Sequence, residues 1–151
     1  MRCVIQRVLK AHVEVNQEIV GSINRGLLLL VGVSDDDTLE DLNWLANKLL
    51  NLRIFNDSEG KMNLSIQDIQ GEFLVVSQFT LFAKTKKGNR PSFIGSGKPE
   101  YADELYLKLA AALGSNQNIK KVETGIFGAN MQVNLVNDGP VTIIIDTKNK
   151  E

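Results

Sequence analysis

Residues 26–33 read Gly-Leu-Leu-Leu-Leu-Val-Gly-Val, and this stretch decides the fold class. A strand with one face in water alternates apolar and polar residues, whereas this stretch is apolar on both faces. Residues 73–79 form a second apolar run. We therefore predict a central buried strand at 26–33 and another apolar strand at 73–79.

The sequence on either side supplies the remaining strands. Residues 2–9 alternate loosely between apolar and polar types, and residues 12–16 alternate cleanly, as a half-buried strand does. A turn at Asn16-Gln17 would lead into residues 18–22 and complete a hairpin. The last part of the chain adds three predicted strands, at residues 119–124, 130–136 and 141–146.

Two segments carry apolar residues at helical spacing. Residues 38–52 follow several possible N-cap oxygens in residues 35–38, and residues 99–113 end before Gly114, where a C-cap is expected. Strands open and close the chain, and helices lie between them. We predict an α+β fold: a single domain over residues 1–151, with a mixed, mostly antiparallel, barrel-like sheet and two main helices.

The composition excludes several classes of protein. The 151 residues are 43% apolar and 23% charged, and a net charge of −1 leaves only a local patch for binding RNA. Cys3 is the only cysteine, so an intrachain disulfide is impossible. The N-terminus lacks a signal-peptide pattern, and the longest apolar run, residues 27–31, is too short to span a bilayer. We predict a cytoplasmic protein without membrane association.

Two short motifs follow apolar runs and offer small polar groups without His, Cys, Lys or Glu. The first motif is Ser77-Gln78-Phe79-Thr80-Leu81, and the second is Asn137-Asp138-Gly139-Pro140-Val141-Thr142. A site built from them would act through backbone donors and shape. Residues 73–77 look buried, so the chain would emerge from the core near Gln78-Phe79-Thr80. Backbone N–H groups there could form an oxyanion hole, in which one donor is worth about 10²–10³ in rate. The alternative is that Ser77 and Thr80 only satisfy hydrogen bonds of a turn.

Other kinds of catalytic site find little support. A nucleophilic Thr80 would need a base, and the only histidine, His12, has no acidic partner apparent from the sequence. No cluster has metal-ligand spacing, and residues 35–37 are better interpreted as helix capping than as a cation site. No phosphate-binding or dinucleotide fingerprint occurs. We therefore predict neither a metal nor a cofactor.

Residues 84–98 form a long segment without apolar periodicity. Its charged residues are all basic: Lys84, Lys86, Lys87, Arg90 and Lys98. Loops of this length are usually functional or disordered. The segment is therefore either a solvated loop or a surface that contacts the phosphates of a nucleic acid.

Five segments together resemble the D-aminoacyl-tRNA deacylases, in family order and from one end of the chain to the other. They are residues 1–8, 53–64, 75–81, 90–93 and 131–142. The resemblance implies a homodimeric hydrolase that cleaves the ester between a D-amino acid and the 3′ end of tRNA, without a DNA partner. It makes the phosphate-contacting role of residues 84–98 the favoured one, as a tRNA-binding surface.

The resemblance also implies roles for individual residues. Ser77, Gln78, Phe79 and Thr80 would hold and polarise the ester, while the vicinal hydroxyl of the ribose assists the attack of water. Gly139 and Pro140 would be joined by a cis peptide bond and enter the partner subunit's pocket. Their carbonyl oxygens would bind the substrate amine and leave no room for an L side chain. Arg7 would support this element, and Phe127 and Met131 would line the pocket for the terminal adenosine, although residues 128–130 match the family less well.

Two rival functions remain open at this level. The chain could be a non-catalytic RNA-binding module that uses residues 84–98, in which case it would bind D-aminoacyl-tRNA without turnover. It could also be a small-molecule amidase or esterase with Thr80 as nucleophile, in which case Thr80 would carry a covalent acyl group.

If the chain is a deacylase, a filter that only excludes L side chains would also let glycyl-tRNA react.

Overall fold

The fold comes from a computed structural model, which describes residues 1–150. Two helices and a short 3₁₀ helix are set among eight strands. In chain order the elements are β1 (Arg2–Val15), β2 (Glu18–Ile23), β3 (Gly26–Gly32), α1 (Leu39–Asn51), β4 (Phe55–Asn56), β5 (Met62–Leu64), β6 (Glu72–Ser77), the 3₁₀ helix (Phe79–Phe82), α2 (Pro99–Gly114), β7 (Lys121–Thr124) and β8 (Gln132–Asp146).

Strand β1 organises the main sheet. Strand β8 pairs antiparallel with it along one edge, while β3 and β2 share the other edge, opposite the first and second halves of β1. Strands β3, β6 and β7 are parallel neighbours, so the chain crosses over between them through α1 and α2. The predicted α+β class, the mixed sheet and the two main helices are confirmed.

The sheet curls until β2 approaches β7, which makes it a nearly closed, barrel-like sheet. A Cβ atom at Gly21 would lie 2.5 Å from the Thr124 carbonyl oxygen, so only glycine allows this approach. Nearby, Lys121 Nζ donates to the Ser22 carbonyl at 2.6 Å. The buried Glu72 carboxylate accepts from the Asn24 N–H at 2.8 Å and pairs with Lys120. These contacts join the two ends of the sheet without ladder pairing.

Apolar clusters cover both faces of β3, as its sequence predicts. Leu27, Leu29 and Val31 belong to the larger cluster, which includes the apolar sides of α1 and α2. Leu28 belongs to a second cluster with residues of β1, β2 and β6. Successive side chains of a strand point to opposite faces, so a strand buried on both sides is apolar throughout. Among residues 1–150, neither helix has the length and apolar character that crossing a membrane demands.

Several predicted boundaries are wrong for tertiary reasons. The predicted strands at 2–9 and 12–16 form one strand, β1, whose bulge exposes Leu9 and Lys10 and returns Ala11 to the interior. Strand β8 likewise joins the two segments predicted at 130–136 and 141–146. Gly114 is the last residue of α2 rather than its cap, since Ser115 caps the helix with a right-handed φ of −73°.

Helix α1 begins with a reciprocal cap. Thr38 is the N-cap residue, and the Asp41 carboxylate accepts from the Thr38 N–H at 2.9 Å. Asp41 also accepts from Lys148 Nζ at 2.7 Å, which ties α1 to the residues after β8. Asp37, predicted as a capping residue, is instead buried and paired with the Met1 α-ammonium group.

We expect Asp41→Asn to lower the free energy of unfolding at pH 7 by about 1–2 kcal/mol. Burial alone would raise the pKa of Asp41, but hydrogen bonds from Lys148, Thr147 and Thr38 outweigh it and lower the pKa. A lowered carboxylate pKa stabilises the fold above the unfolded-state value near pH 4 and loses that effect as the pH falls. Denaturant unfolding of the wild type and the variant at pH 7 and at pH 3 measures the destabilisation and its decrease at low pH. Asp36→Asn is the control, because Asp36 is exposed. An equal loss at the two pH values would contradict the prediction.

Candidate active site

The first motif begins where the buried strand β6 ends. The Gln78 N–H donates to the Val31 carbonyl at 2.7 Å, which extends the pairing with β3 by one residue. The chain then turns into the 3₁₀ helix, and its first N–H groups, those of Phe79 and Thr80, have no partner inside that helix. Phe79 N–H and Thr80 N–H are therefore the two candidate donors for an oxyanion hole, because the Gln78 N–H already donates to the Val31 carbonyl. The Gln78 side-chain amide donates to Thr80 Oγ1.

An apolar cavity of about 550 Å³ opens beside this turn. Ser77, Gln78 and Phe79 of the first motif line it, together with Phe127 and Met131. The sequence places these residues in segments about fifty positions apart, and the fold brings them together around one cavity. The other lining residues are Val33, Val76, Ser96, Gly97, Pro99, Ala102, Gly128, Ala129 and Val133. This lining contains no carboxylate, histidine, lysine or cysteine.

Tyr106 supports one wall of the cavity and was missed from the sequence, where it looks like one more apolar residue of α2. Its hydroxyl donates to the Val75 carbonyl at 2.8 Å, and its ring lies 6.1 Å from that of Phe127, centroid to centroid. Burial raises the pKa of Tyr106 to about 12, so the hydroxyl stays a neutral donor. Tyr106 thereby ties α2 to the end of β6 and to the segment that carries Phe127.

Two glycines make close packing around the cavity possible, and sequence inspection did not single them out. A Cβ atom at Gly32 would lie 3.0 Å from the Gln78 carbonyl oxygen and 3.0 Å from the Phe82 ring. A Cβ atom at Gly125 would lie 2.5 Å from Met131 Sδ. Gly32 thus lets the 3₁₀ helix pack on β3, and Gly125 leaves room for the Met131 side chain.

Arg2 holds the other end of the 3₁₀ helix. Its Nη1 donates to the Leu81 carbonyl at 3.0 Å, and its Nε donates to Asp146 Oδ2 at 2.8 Å. The guanidinium carbon also lies 4.7 Å from the centre of the Phe82 ring. The segment with the two candidate donors is therefore anchored at both ends.

The second motif forms a bulge in β8. The Gly139–Pro140 peptide bond is cis, as the resemblance implies, and Gly139 has a φ of +128° that favours glycine. Arg7, which is 5% exposed, lies beside the bulge and donates from Nε to the Asp138 carbonyl at 3.2 Å. Its Nη1 donates to the Ile54 carbonyl at 2.6 Å. Arg7 therefore contacts the element that the resemblance has it support.

Within one chain the two motifs lie far apart, and neither Gly139 nor Pro140 lines the cavity. Ser77 pairs with Val31, Val31 with Cys3, and Cys3 with Ile145, so three strand spacings along the sheet separate Ser77 from the part of β8 that follows the bulge. Arg7, beside the bulge, lies further along β1 than Cys3. With about 4.8 Å between strands and about 3.3 Å per residue, the separation is on the order of 15–20 Å.

The basic segment contains backbone pairing that its sequence does not indicate. Lys84 and Ser92 exchange backbone hydrogen bonds of 2.7 and 3.0 Å, so residues 84–92 form a hairpin. Phe93 packs edge-on against Phe79, with ring centres 5.1 Å apart, which places the hairpin next to the cavity. All five predicted cations are exposed, and none makes an ion pair within residues 1–150: Lys84, Lys86, Lys87, Arg90 and Lys98.

His12 lies on β1, away from the cavity lining. Its Nε2 lies 2.9 Å from Glu14 Oε1, so it does have an acidic neighbour. The sequence contained this signal, because residues two apart on a strand share a face. In the described part of the chain, no three His, Cys, Asp or Glu side chains are grouped so that they could hold a metal ion.

Comparison with known proteins places these features in a family. Residues 4–146 match the family described as D-Tyr-tRNA(Tyr) deacylase. The chain is 59% identical over 151 residues, the full length of both proteins, to a D-aminoacyl-tRNA deacylase of Flavobacterium psychrophilum.

Two solved structures share the fold. One is described as c-Myc DNA Unwinding Element Binding Protein, with 41% identity, a TM-score of 0.90 and coverage of 97% of this chain and 98% of that one. The other is described as a probable eukaryotic D-amino acid tRNA deacylase, with 21% identity, a TM-score of 0.79 and coverage of 95% and 97%. The match over nearly the whole sequence, together with the full-length relative, shows that the chain belongs to the D-Tyr-tRNA(Tyr) deacylase family.

Proposed function

We propose that this protein is a cytoplasmic homodimeric D-aminoacyl-tRNA deacylase, which hydrolyses the ester between a D-amino acid and the terminal ribose of tRNA. One observation carries the proposal beyond family membership. Two N–H groups without a helical partner, those of Phe79 and Thr80, begin a 3₁₀ helix at an apolar cavity of about 550 Å³. Such a site can polarise a carbonyl group that is brought in by an apolar ligand.

Catalysis in this proposal depends on position and on the backbone. The ester carbonyl oxygen accepts from Phe79 N–H and Thr80 N–H, and Ser77 and Gln78 complete the wall beside it. Such donors stabilise the negative charge that develops on this oxygen in the transition state. A water molecule attacks the carbonyl carbon, and the bond to the ribose oxygen breaks. The vicinal hydroxyl relays the proton from the water to the leaving oxygen, in keeping with a lining that has no acid or base.

The apolar wall of the cavity suits the end of the tRNA. Phe127 and Met131 offer an aromatic face and a polarisable sulfur, which pack well against a base. We propose that they hold the terminal adenosine and thereby place its ribose beside the first motif. The exposed cations of residues 84–98 would then lie near the phosphates of the acceptor end, where they contribute affinity without reading sequence.

Stereochemical selection falls to Gly139 and Pro140 in this proposal. Their carbonyl oxygens receive the substrate amine, and the backbone around them leaves no space for an L side chain. Because the motifs of one chain are on the order of 15–20 Å apart, the bulge would act in the pocket of the partner subunit. Arg7 supports the bulge from within its own subunit.

We expect a homodimer at micromolar concentration. The outer edge of β8 has no strand partner within residues 1–150, and it carries Ile144 with 73% of its surface exposed. An unpaired apolar edge of this length is a surface that a second copy can cover. Sedimentation velocity over a dilution series measures the association, and activity should fall as the dimer dissociates. A fully active monomer would be inconsistent with a filter that acts across subunits.

The direct test of the proposed function is deacylation of matched D- and L-tyrosyl-tRNA by the purified protein. We expect rapid release of D-tyrosine and negligible release of L-tyrosine, with and without a chelator in the buffer. A fragment of single-stranded DNA with the same terminal sequence serves as a binding control. Tight binding of D-tyrosyl-tRNA without turnover would instead favour the RNA-binding module. Loss of activity with the chelator, restored by zinc, would contradict metal independence.

We expect Thr80→Ala to keep activity within about tenfold of the wild type, because the substitution retains the backbone N–H that acts in the oxyanion hole. The Thr80 hydroxyl accepts from the Gln78 amide and has no adjacent base in the cavity lining. Single-turnover rates of Thr80→Ala and Thr80→Ser give the measurement. The nucleophile hypothesis would be correct if Thr80→Ala lost turnover while Thr80→Ser kept it, and if an acyl group were trapped on the residue-80 hydroxyl of the wild type or of Thr80→Ser.

A further inference from the structure

We propose that Asn137 is a positioning residue, which fixes the Gly139–Pro140 bulge through its side-chain amide and so determines how strictly the enzyme rejects L-amino acids. This inference rests on the proposed function. It assigns a role to a side chain that points back into its own strand rather than towards a substrate.

The ladder between β1 and β8 is interrupted at this point. Gln6 pairs with Thr142 and Val8 pairs with Asn137, so Arg7 alone stands opposite residues 138–141. Strand pairing with β1 therefore does not hold these four residues. Without other contacts, a bulge of this size would be free to change shape.

The Asn137 side chain replaces the missing ladder bonds. Its Oδ1 accepts from the Val141 N–H at 3.1 Å, and its Nδ2 donates to the Val141 carbonyl at 3.2 Å. One amide thus satisfies both backbone groups of Val141, as a paired residue on a neighbouring strand would do. These two bonds close the bulge at its base.

Arg7 of β1 holds another part of the bulge, at Asp138, and only the tip of the bulge is exposed. Arg7 contacts Asp138 through both the carbonyl oxygen, at 3.2 Å, and the carboxylate, at 3.1 Å. A Cβ atom at Gly139 would lie 2.8 Å from the Val141 side chain and 3.2 Å from Arg7 Nη2. Gly139 and Pro140 themselves are exposed. The structure therefore presents a tip that is open to a ligand on a base that is fixed by side chains.

The base of the bulge must be rigid because steric exclusion works only if the excluding backbone atoms keep their positions. An L side chain is rejected only if the carbonyl oxygens of the tip stay within about 0.5 Å of their positions. A D side chain does not meet this wall, so its reaction depends less on stiffness. Loosening the bulge should therefore raise the rate with L substrates relative to D substrates, whereas general damage would lower both.

The test compares D-alanyl- and L-alanyl-tRNA, which carry the same side chain with opposite chirality. We expect Asn137→Ala to lower the ratio of kcat/KM for the D and L substrates by about 10- to 100-fold, the scale of a 1 Å misplacement. Asn137→Asp keeps the acceptor for the Val141 N–H but loses the donor, so it should also lower the ratio. Asn134→Ala is the matched control, because Asn134 is exposed on the same strand and makes only a long 3.4 Å contact with the Gln132 carbonyl.

The outcomes separate this inference from the proposed function. If the wild type hydrolyses D-alanyl-tRNA and both Asn137 variants keep its ratio, or lose both rates in proportion, the inference is wrong and the function stands. If the wild type hydrolyses neither substrate, the proposed function fails and the inference fails with it. Thermal unfolding and sedimentation of each variant identify the folded dimers, and Asn137→Asp carries the test if Asn137→Ala does not fold.

Discussion

Gly32→Val should lower kcat for D-aminoacyl-tRNA by about 100-fold or more, the value of a lost oxyanion donor. A Cβ atom at this position would lie 3.0 Å from the Gln78 carbonyl oxygen, which is backbone and cannot rotate away. The branched valine therefore pushes the start of the 3₁₀ helix off β3. The N–H groups of Phe79 and Thr80 move with it, although neither residue is changed.

A graded series distinguishes this effect from unfolding. Gly32→Ala adds a single methyl group and should lower kcat by about tenfold, since a displacement well below 1 Å already misaligns the donors. Gly114→Ala is the control, because a Cβ atom there would lie at an ordinary 3.7 Å from Val122. Steady-state kcat and thermal unfolding are measured for all three variants. Wild-type kcat in a folded Gly32→Val protein would show that the 3₁₀ helix does not supply the catalytic donors.

Glycyl-tRNA should be cleaved at an appreciable rate, while L-alanyl-tRNA should react slower by a factor on the order of 10³. The proposed filter works by exclusion: an L side chain collides with fixed backbone near Gly139 and Pro140, and glycine has nothing to collide. A difference of 10³ corresponds to roughly 4 kcal/mol. A hard clash readily supplies this much, whereas the favourable contact of one methylene contributes only about 1–3 kcal/mol.

A filter that works by exclusion should also accept D-amino acids with different side chains. Neither motif supplies a dedicated side-chain pocket, so D-alanyl-, D-tyrosyl- and D-aspartyl-tRNA should all be substrates. The comparison uses tRNAs with one acceptor stem, so that contacts with residues 84–98 are constant, and measures kcat/KM for each amino acid. Rejection of glycyl-tRNA as strong as that of L-alanyl-tRNA would mean that the site recognises a D side chain by attraction. The exclusion mechanism would then be wrong.

Local sequence patterns predicted much of the fold. The apolar run at 26–33 indicated a strand buried on both faces, and the structure has clusters on both sides of β3. The spacing of leucines indicated α1, which begins within one residue of the predicted start. These predictions succeed because periodicity records which side of an element is buried, and burial is decided residue by residue.

Predictions that depended on a partner strand were less successful. The sequence between residues 9 and 12 looks like a break between strands, but β8 pairs with β1 on both sides of it and makes one strand with a bulge. The same holds at residues 137–141, where the strands predicted at 130–136 and 141–146 form one strand, β8, that contains a bulge. The periodicity of one strand shows which of its faces is buried, but it does not identify the neighbouring strand or show where a bulge interrupts the pairing.

The candidate site divides in the same way between sequence and tertiary structure. By itself the sequence determined the two motifs, their lack of His, Cys, Lys and Glu, and, with the flanking segments, the resemblance to a family of deacylases. Only the tertiary structure decided that the Gln78 N–H is used in pairing, that Phe127 and Met131 share a cavity with the first motif, and that the second motif lies outside that cavity. The contacts of Tyr106, Arg2 and Gly32 around the site are also visible only in the tertiary structure. The reason is physical. Each of these residues contacts a part of the chain that is distant in sequence, and strand register and helix packing, rather than neighbouring residues, decide which distant parts meet.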